Sequence, residues 1–145
     1  MVVIGNEILS GKIADSNSPF LARELRKLGV TLGRITVIPD EVDVIAAVVA
    51  ESSRDFDVVF TSGGVGPTHD DLTMEGVAKA FGLGVVEHDA LRALIQTYVD
   101  DPHPNQYLLK MAHVPEGAEL VETGRTVFPA VLVRNVYILP GIPEM

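Results

Sequence analysis

Cysteine is absent from the chain. That excludes disulfide frameworks, thiolate nucleophiles and Cys-based zinc sites together. Basic residues are scarce. Eleven Lys and Arg stand against 20 Asp and Glu, for a formal net charge of -9. A chain so acidic, with no basic cluster, is a poor match for nucleic acid or an anionic membrane surface, and neither is expected as a partner. Any phosphate must be held by backbone amides, a few basic side chains or a metal ion. No apolar run approaches the roughly 18 residues of a membrane span. The opening MVVIGNEIL has neither the basic start nor the long apolar stretch of a signal peptide. A cytoplasmic location is the expectation. No repeat or low-complexity linker divides the chain, and 145 residues suit one domain.

Short β-branched runs alternate with amphipathic stretches, which predicts an α/β fold with a largely parallel sheet. Val2 to Ile4 reads as a first strand, and residues 6 to 17 as a long loop. Ser18-Pro19 predicts a helix start, with Phe20, Leu21, Leu25 and Leu28 on its apolar face and Gly29 as its stop. Val30 to Ile38 reads as a second strand. A helix follows it, capped by Asp40 or Asp43 and striped by Val44, Ile45, Val48 and Val49. Asp57 to Thr61 is the strongest buried-strand signal. Met74, Val77, Ala78 and Phe81 mark the next helix, and Leu91, Leu94, Ile95 and Tyr98 another. Asp101-Pro102-His103-Pro104 breaks that helix, and Asn105 to Ala112 predicts a short one. Val131 to Val133 and Val136 to Leu139 read as paired strands around an Arg134-Asn135 turn, so the sheet is expected to be mixed. The closing LPGIPEM reads as the start of a further helix, as if this were part of a longer chain.

The sharpest feature is SGGVGPTHDD, residues 62 to 71, between a predicted strand and a predicted helix. In open parallel sheets, ligands bind beyond the carboxyl ends of the strands. Gly63, Gly64 and Gly66 let the backbone turn tightly and approach a ligand. The helix behind them offers unpaired N–H groups and the positive end of its dipole, which suits an anion. The segment is neither a Walker loop nor a GxGxxG. Read more plainly, it is a turn whose Asp70 and Asp71 only cap the helix. Asp40, Asp70 and Asp71 at one sheet edge would repel phosphate unless a cation intervened. They are the candidate ligands of a divalent ion such as Mg²⁺, Mn²⁺ or Co²⁺. Asp71, Asp40 and His69 are the candidates for catalysis. Thr68, with Glu7, Ser10 and Lys12 of the first loop, completes the candidate ligand contacts. His88, His103 and His113 lack metal-ligand spacing and read as structural.

IGNEILSGKIADSN, IPDE, TSGGVGPTHDDLT and LPGIPEM, in that order and spacing, resemble the molybdopterin-binding domain family over about residues 3 to 145. The family includes molybdenum-cofactor biosynthesis proteins of the MoaB/MogA type. It also includes the N-terminal domains of competence/damage-inducible protein CinA and of two-domain FAD synthases, and the likeness is greatest to these two. The resemblance implies a three-layer α/β/α sandwich with a mostly parallel, mixed sheet. It places Gly63, Gly64 and Gly66 in the ligand loop, Asp71 and Asp40 at the acidic positions, and Pro140, Gly141 and Pro143 in a turn across the site. Gly5 and Glu7 fit its G-x-E-hydrophobic-L pattern. Where MogA-type adenylyltransferases carry Arg, this chain has Asp70. That exchange removes a bidentate phosphate clamp and adds an acceptor-only carboxylate. The resemblance therefore implies metal-dependent hydrolysis of a nucleotide pyrophosphate such as ADP-ribose or FAD. Molybdopterin binding or adenylylation, and a non-catalytic binding or assembly domain of a larger protein, stay open beside it. A nucleotide or pterin ligand and a homo-oligomer, dimer or trimer, are implied as partners.

Overall fold

The computed structural model describes residues 1–101, 104–122, 124 and 127–141. A six-stranded sheet has the order β2-β1-β3-β8-β7-β6. Its strands are β1 (Val2–Ile4), β2 (Thr36–Ile38), β3 (Val59–Ser62), β6 (Glu119–Val121), β7 (Ala130–Val133) and β8 (Val136–Leu139). β2, β1, β3 and β8 run parallel, whereas β7 is antiparallel to β8 and β6 to β7. The mixed, mostly parallel α/β architecture expected from the sequence is the one observed.

Alternation along the strands explains the layering. Val2, Ile4, Val59, Val136 and Ile138 point to one face and are 2% exposed or less. There they join Ile45 and Val49 of α3 (Val42–Asp55) and Val77 of α4 (Thr73–Ala80) in one core. A Cβ on Gly76 would collide with the Ile45 side chain, so this glycine lets α3 and α4 meet closely. On the other face the rings of Phe60 and Tyr137 lie 5.5 Å apart. α2 (Asn17–Lys27) approaches this face, and its Leu25 lines a cleft with Phe60. α5 (Asp89–Tyr98), α6 (Gln106–Lys110) and a small antiparallel pair, β4 (Val85–Glu87) with β5 (His113–Pro115), complete the described structure.

Several boundaries differ from the sequence reading. Residues 6 to 17 are not all loop, because Asn6–Leu9 makes a helical turn, α1, directly after β1. α2 begins at Asn17, and Ser18 does not cap it. Its N–H is instead accepted by Asp15 Oδ1 at 3.0 Å, and its side chain is buried. The predicted apolar face of α2 is only partly used, for Phe20 and Leu28 are 58% and 77% exposed. The second strand is confined to Thr36–Ile38, where pairing with β1 begins. Neither Asp40 nor Asp43 caps α3. Asp43 pairs with Lys79 at 2.6 Å, and Asp40 reaches across to β1's turn. β4, β5 and β6 carried no alternation long enough to predict them. The Arg134-Asn135 turn is as expected, with Arg134 at φ 55°. Asn135 Nδ2 donates to the carbonyls of Ser53, Phe56 and Asp57, tying this hairpin to the end of α3.

Candidate ligand site

The parallel order puts the ends of β1, β2, β3 and β8 side by side, so four separate segments meet at one edge. Gly5 after β1 donates its N–H to Ile38 O of β2 at 3.1 Å. Asn6 N–H donates to Asp40 Oδ2 at 2.7 Å, which fixes the Asp40 carboxylate against the start of α1. After β3, Gly63 has φ 96°, and a Cβ there would collide with the Ile4 carbonyl oxygen. Only glycine permits this turn to pass so close to β1. Thr73 Oγ1, wholly buried at the start of α4, donates to Gly63 O at 2.8 Å, and Thr73 N–H donates to Gly64 O at 3.0 Å. These two bonds close the glycine turn onto the helix that follows it.

The acidic residues then fall into two groups. A Cβ built on Gly64 would stand 3.4 Å from Asp40 Oδ1, and one on Gly66 would stand 2.8 Å from Asp71 Oδ2. Asp40 and Asp71 thus flank the glycine backbone. Asp71 Oδ2 also accepts from Thr68 N–H at 2.8 Å and Thr68 Oγ1 at 2.6 Å. Each carboxylate is therefore oriented through one oxygen, Oδ2; Asp40 turns its Oδ1 toward Gly64, whereas in Asp71 the bonded Oδ2 is also the oxygen nearest Gly66. Asp70 is turned outward. It pairs with His69 at 2.7 Å, where the two side chains are 65% and 94% exposed. Among the described residues no three His, Asp or Glu side chains converge closely enough to form a metal cluster by themselves. The structure thus does not gather Asp40, Asp70 and Asp71 into one cluster. Asp70 and Asp71 do not cap α4 with their side chains either, since no side chain accepts there.

Electrostatics ties the edge together. Burial pushes the Asp40 carboxyl above its ordinary range. The Asn6 N–H opposes this, and the charges of Glu7, Asp71 and Asp70 add to it. Glu7, on α1, folds its carboxylate back over Gly5. Ser10 Oγ donates to Glu7 O at 3.2 Å, and Lys12 is exposed on the loop that follows. On the far side, a Cβ on Gly141 would lie 3.2 Å from Gly63 Cα, so the backbone at Gly141 passes close to the glycine loop. Pro143 lies outside the described residues, as does His103.

Two positions had little or no signal in the sequence. Asn17 Nδ2 donates to Ser62 Oγ at 2.8 Å and to Gly141 O at 3.1 Å, linking the first loop, the end of β3 and the last turn. Its place at the end of the loop read from the sequence gave no sign of this bridge. Lys110 Nζ donates to Thr68 O at 2.8 Å and Asp71 O at 2.6 Å. It lies some forty residues along the chain, on a helix whose sequence gave no sign of a partner. Behind the loop, Lys110, Gly64, Gly66, Asp71 and His113 help to line a cavity of only about 20 Å³, room for one water. A nucleotide or pterin would have to lie on the outer edge.

Comparison with known proteins follows this geometry. The family of probable molybdopterin-binding domains matches residues 1–145. A protein of Archaeoglobus fulgidus is 37% identical over 144 residues, 99% of this chain and 61% of its own length. A probable FAD synthase of Caenorhabditis briggsae is 38% identical over 165 residues, 99% of this chain and 32% of its own. The chain therefore spans less than two thirds of these relatives. Among solved structures, protein CinA of Thermoplasma acidophilum, of unknown function, superposes with TM-score 0.89 at 32% identity, covering 99% of this chain and 88% of that one. The molybdopterin biosynthesis enzyme MoaB of Thermus thermophilus shares the fold, with TM-score 0.59 at 18% identity, over 99% and 80% of the two chains.

Proposed function

For a chain that belongs to the molybdopterin-binding domain family, we propose that the glycine loop binds the phosphates of a nucleotide-like ligand and that the domain hydrolyses a nucleotide pyrophosphate of the ADP-ribose or FAD type. One observation carries this reading. Asp40 and Asp71 stand on either side of a backbone stripped of side chains, each oriented by a hydrogen bond through one oxygen. The relative named as a probable FAD synthase supports the flavin-nucleotide class of ligand.

The donor set suits a hard divalent cation of the Mg²⁺ type. Such an ion is commonly held by one or two carboxylates and completed by phosphate oxygens and water, so no three-residue cage is needed. Asp40 and Asp71 would hold it. Bound there, it would polarise a phosphoryl oxygen and lower the pKa of water. This chain's own residues do the rest. The amides around Gly63 to Gly66 and the N-terminus of α4 receive phosphate oxygens. Thr68 keeps the Asp71 carboxylate turned to the loop. Asn17 holds the Gly141 backbone close to Gly63. Asp70, where an arginine would have clamped a phosphate, leaves the anion to backbone amides and cation.

The test is product release from ADP-ribose, FAD, NAD and ATP in turn, with Mg²⁺, Mn²⁺ or Co²⁺ and with EDTA. Metal-dependent cleavage of one member is expected. Folded protein that cleaves none of them overturns the hydrolase reading. The MoaB likeness then favours a second reading, pterin binding at the same loop, which metal-free binding of molybdopterin would support.

A further inference from the structure

The turn Thr68 to Asp71 carries the acidic end of the site, and inside it the short bonds run to a side chain, from Thr68 N–H and Oγ1 to Asp71 Oδ2 at 2.8 and 2.6 Å. Its one backbone bond, Asp71 N–H to Thr68 O, is 3.3 Å long. The hold on its backbone carbonyls comes from outside the turn. Lys110, the last residue of α6, donates to the carbonyls of Thr68 and Asp71 at 2.8 and 2.6 Å, with Glu75 of α4 at 3.8 Å. Its side chain is 27% exposed. The helix that carries it is anchored at both ends. Asn105 accepts from Tyr107 and Leu108 N–H, and His113 Nδ1 lies 3.0 Å from Leu109 O.

We propose that Lys110 is the positioning residue of this site, a clamp that sets how the Thr68–Asp71 turn presents its amides and the Asp71 carboxylate. The inference rests on the ligand site proposed above. The physical reason lies in the peptide plane. In a trans peptide the C=O and the following N–H point in opposite directions. Holding the Thr68 and Asp71 carbonyls toward α6 therefore turns the His69 and Leu72 N–H groups away from it. An ammonium on two carbonyl oxygens also polarises those peptides and strengthens the donor side of each. Lysine suits the task because its three donors spread tetrahedrally over two carbonyls and a nearby carboxylate. The cation thus acts through the backbone while it lies behind the loop.

The experiment compares the chain with Lys110→Met and Lys110→Arg. Amide ¹H–¹⁵N shifts are read without ligand, and affinity for ADP-ribose is read by calorimetry with Mg²⁺. Lys110→Met should move the amides of residues 68 to 72 while leaving those of the core sheet in place. It should weaken binding on the order of tenfold, the loss of a charge-assisted bond. Lys110→Arg should restore most of both. Unmoved loop amides in Lys110→Met overturn the clamp. If affinity nevertheless falls, the lysine touches the ligand directly. Moved amides with undiminished affinity overturn its role in the site. If the unsubstituted chain binds none of ADP-ribose, FAD, NAD and ATP, the ligand reading fails, and the loop amides still decide whether Lys110 orders the turn.

Discussion

At the amino end of the parallel strands, Arg34 engages Glu51 at 2.8 Å and Ser52 at 3.0 Å and lies 5.0 Å over the Phe56 ring. Nearby, Asn135 binds three carbonyls at the end of α3. At the carboxyl end of the same strands, side chains are missing where the backbone is tightest, and burial, with the charges of Glu7, Asp71 and Asp70, raises the Asp40 carboxyl. At the first edge Arg34 is paired with Glu51, while burial and then the Arg34 charge lower the pKa of the Met1 ammonium beside it. The second edge is left acidic beside exposed backbone, although Asp40 and Asp71 accept from Asn6 and Thr68 there. The ligand proposed above would complete this edge. The two edges should therefore respond differently to substitution: stability at the amino end, ligand handling at the carboxyl end.

The largest effect expected is from Gly63→Ala. A Cβ there meets the Ile4 carbonyl oxygen at a φ of 96°. The cost should be about 3 kcal/mol or more in urea unfolding, with ligand binding lost as well. At this carboxyl-edge position fold and site fail together.

Asp71→Asn separates the two. Turnover should fall by roughly two orders of magnitude or more, while the urea midpoint barely changes, because the amide oxygen can still accept from Thr68. Unchanged turnover would remove Asp71 from the chemistry. Asn135→Ala is the mirror experiment at the amino edge. Three carbonyls lose their donor, and stability should drop by about 2 kcal/mol. Affinity for a nucleotide should stay the same, and a parallel loss of affinity would blur the distinction between the edges.

Asp40→Asn gives the smallest change and the most informative sign. Burial and like charges raise its carboxyl pKa in the folded state. The fold thus binds this proton more tightly than the unfolded chain does. The resulting stabilisation is full below the unfolded pKa, about 4. It is lost as the pH rises through the folded value. Asp40→Asn should flatten that slope and leave the protein slightly more stable at neutral pH, while metal-dependent turnover declines. Urea titrations across this pH range, run with both proteins, test it. A less stable variant at neutral pH would mean that Asp40 is a structural acceptor for Asn6 and little else.

Much of this contrast was legible in the residues. The parallel strands, α3, α4 and α5 followed from β-branched runs and apolar periodicity, and the glycine loop declared itself between a strand and a helix. The sequence could not show that α2 would leave Phe20 and Leu28 largely exposed, because periodicity reports amphipathicity and not the extent of cover. β4, β5 and β6 span three residues each and, unlike Val2–Ile4, include polar residues or proline (Glu87, His113, Pro115, Glu119), so no apolar run marks them. The caps were misread for a related reason. Asp40 is an ordinary N-cap candidate by position, yet its carboxylate satisfies an N–H thirty-four residues away, and only the β1–β2 pairing brings the two together. In the site, the residues that sit in the loop were visible. The residues that hold it from elsewhere, Asn17 in its bridging role and Lys110, depend on tertiary contacts that no local pattern records.

The central claim is that the carboxyl edge, and not the cleft at the opposite end lined by Leu25, Arg34, Phe56 and Phe60, takes the ligand. Amide shift mapping of the whole chain during titration with ADP-ribose and Mg²⁺ tests this most directly. The account predicts that the largest changes fall on Gly5, Gly63, Gly64, Gly66, His69 and Gly141, with Arg34 and Phe56 unmoved. Changes centred on Arg34 and Phe56, or no saturable change anywhere, would contradict it.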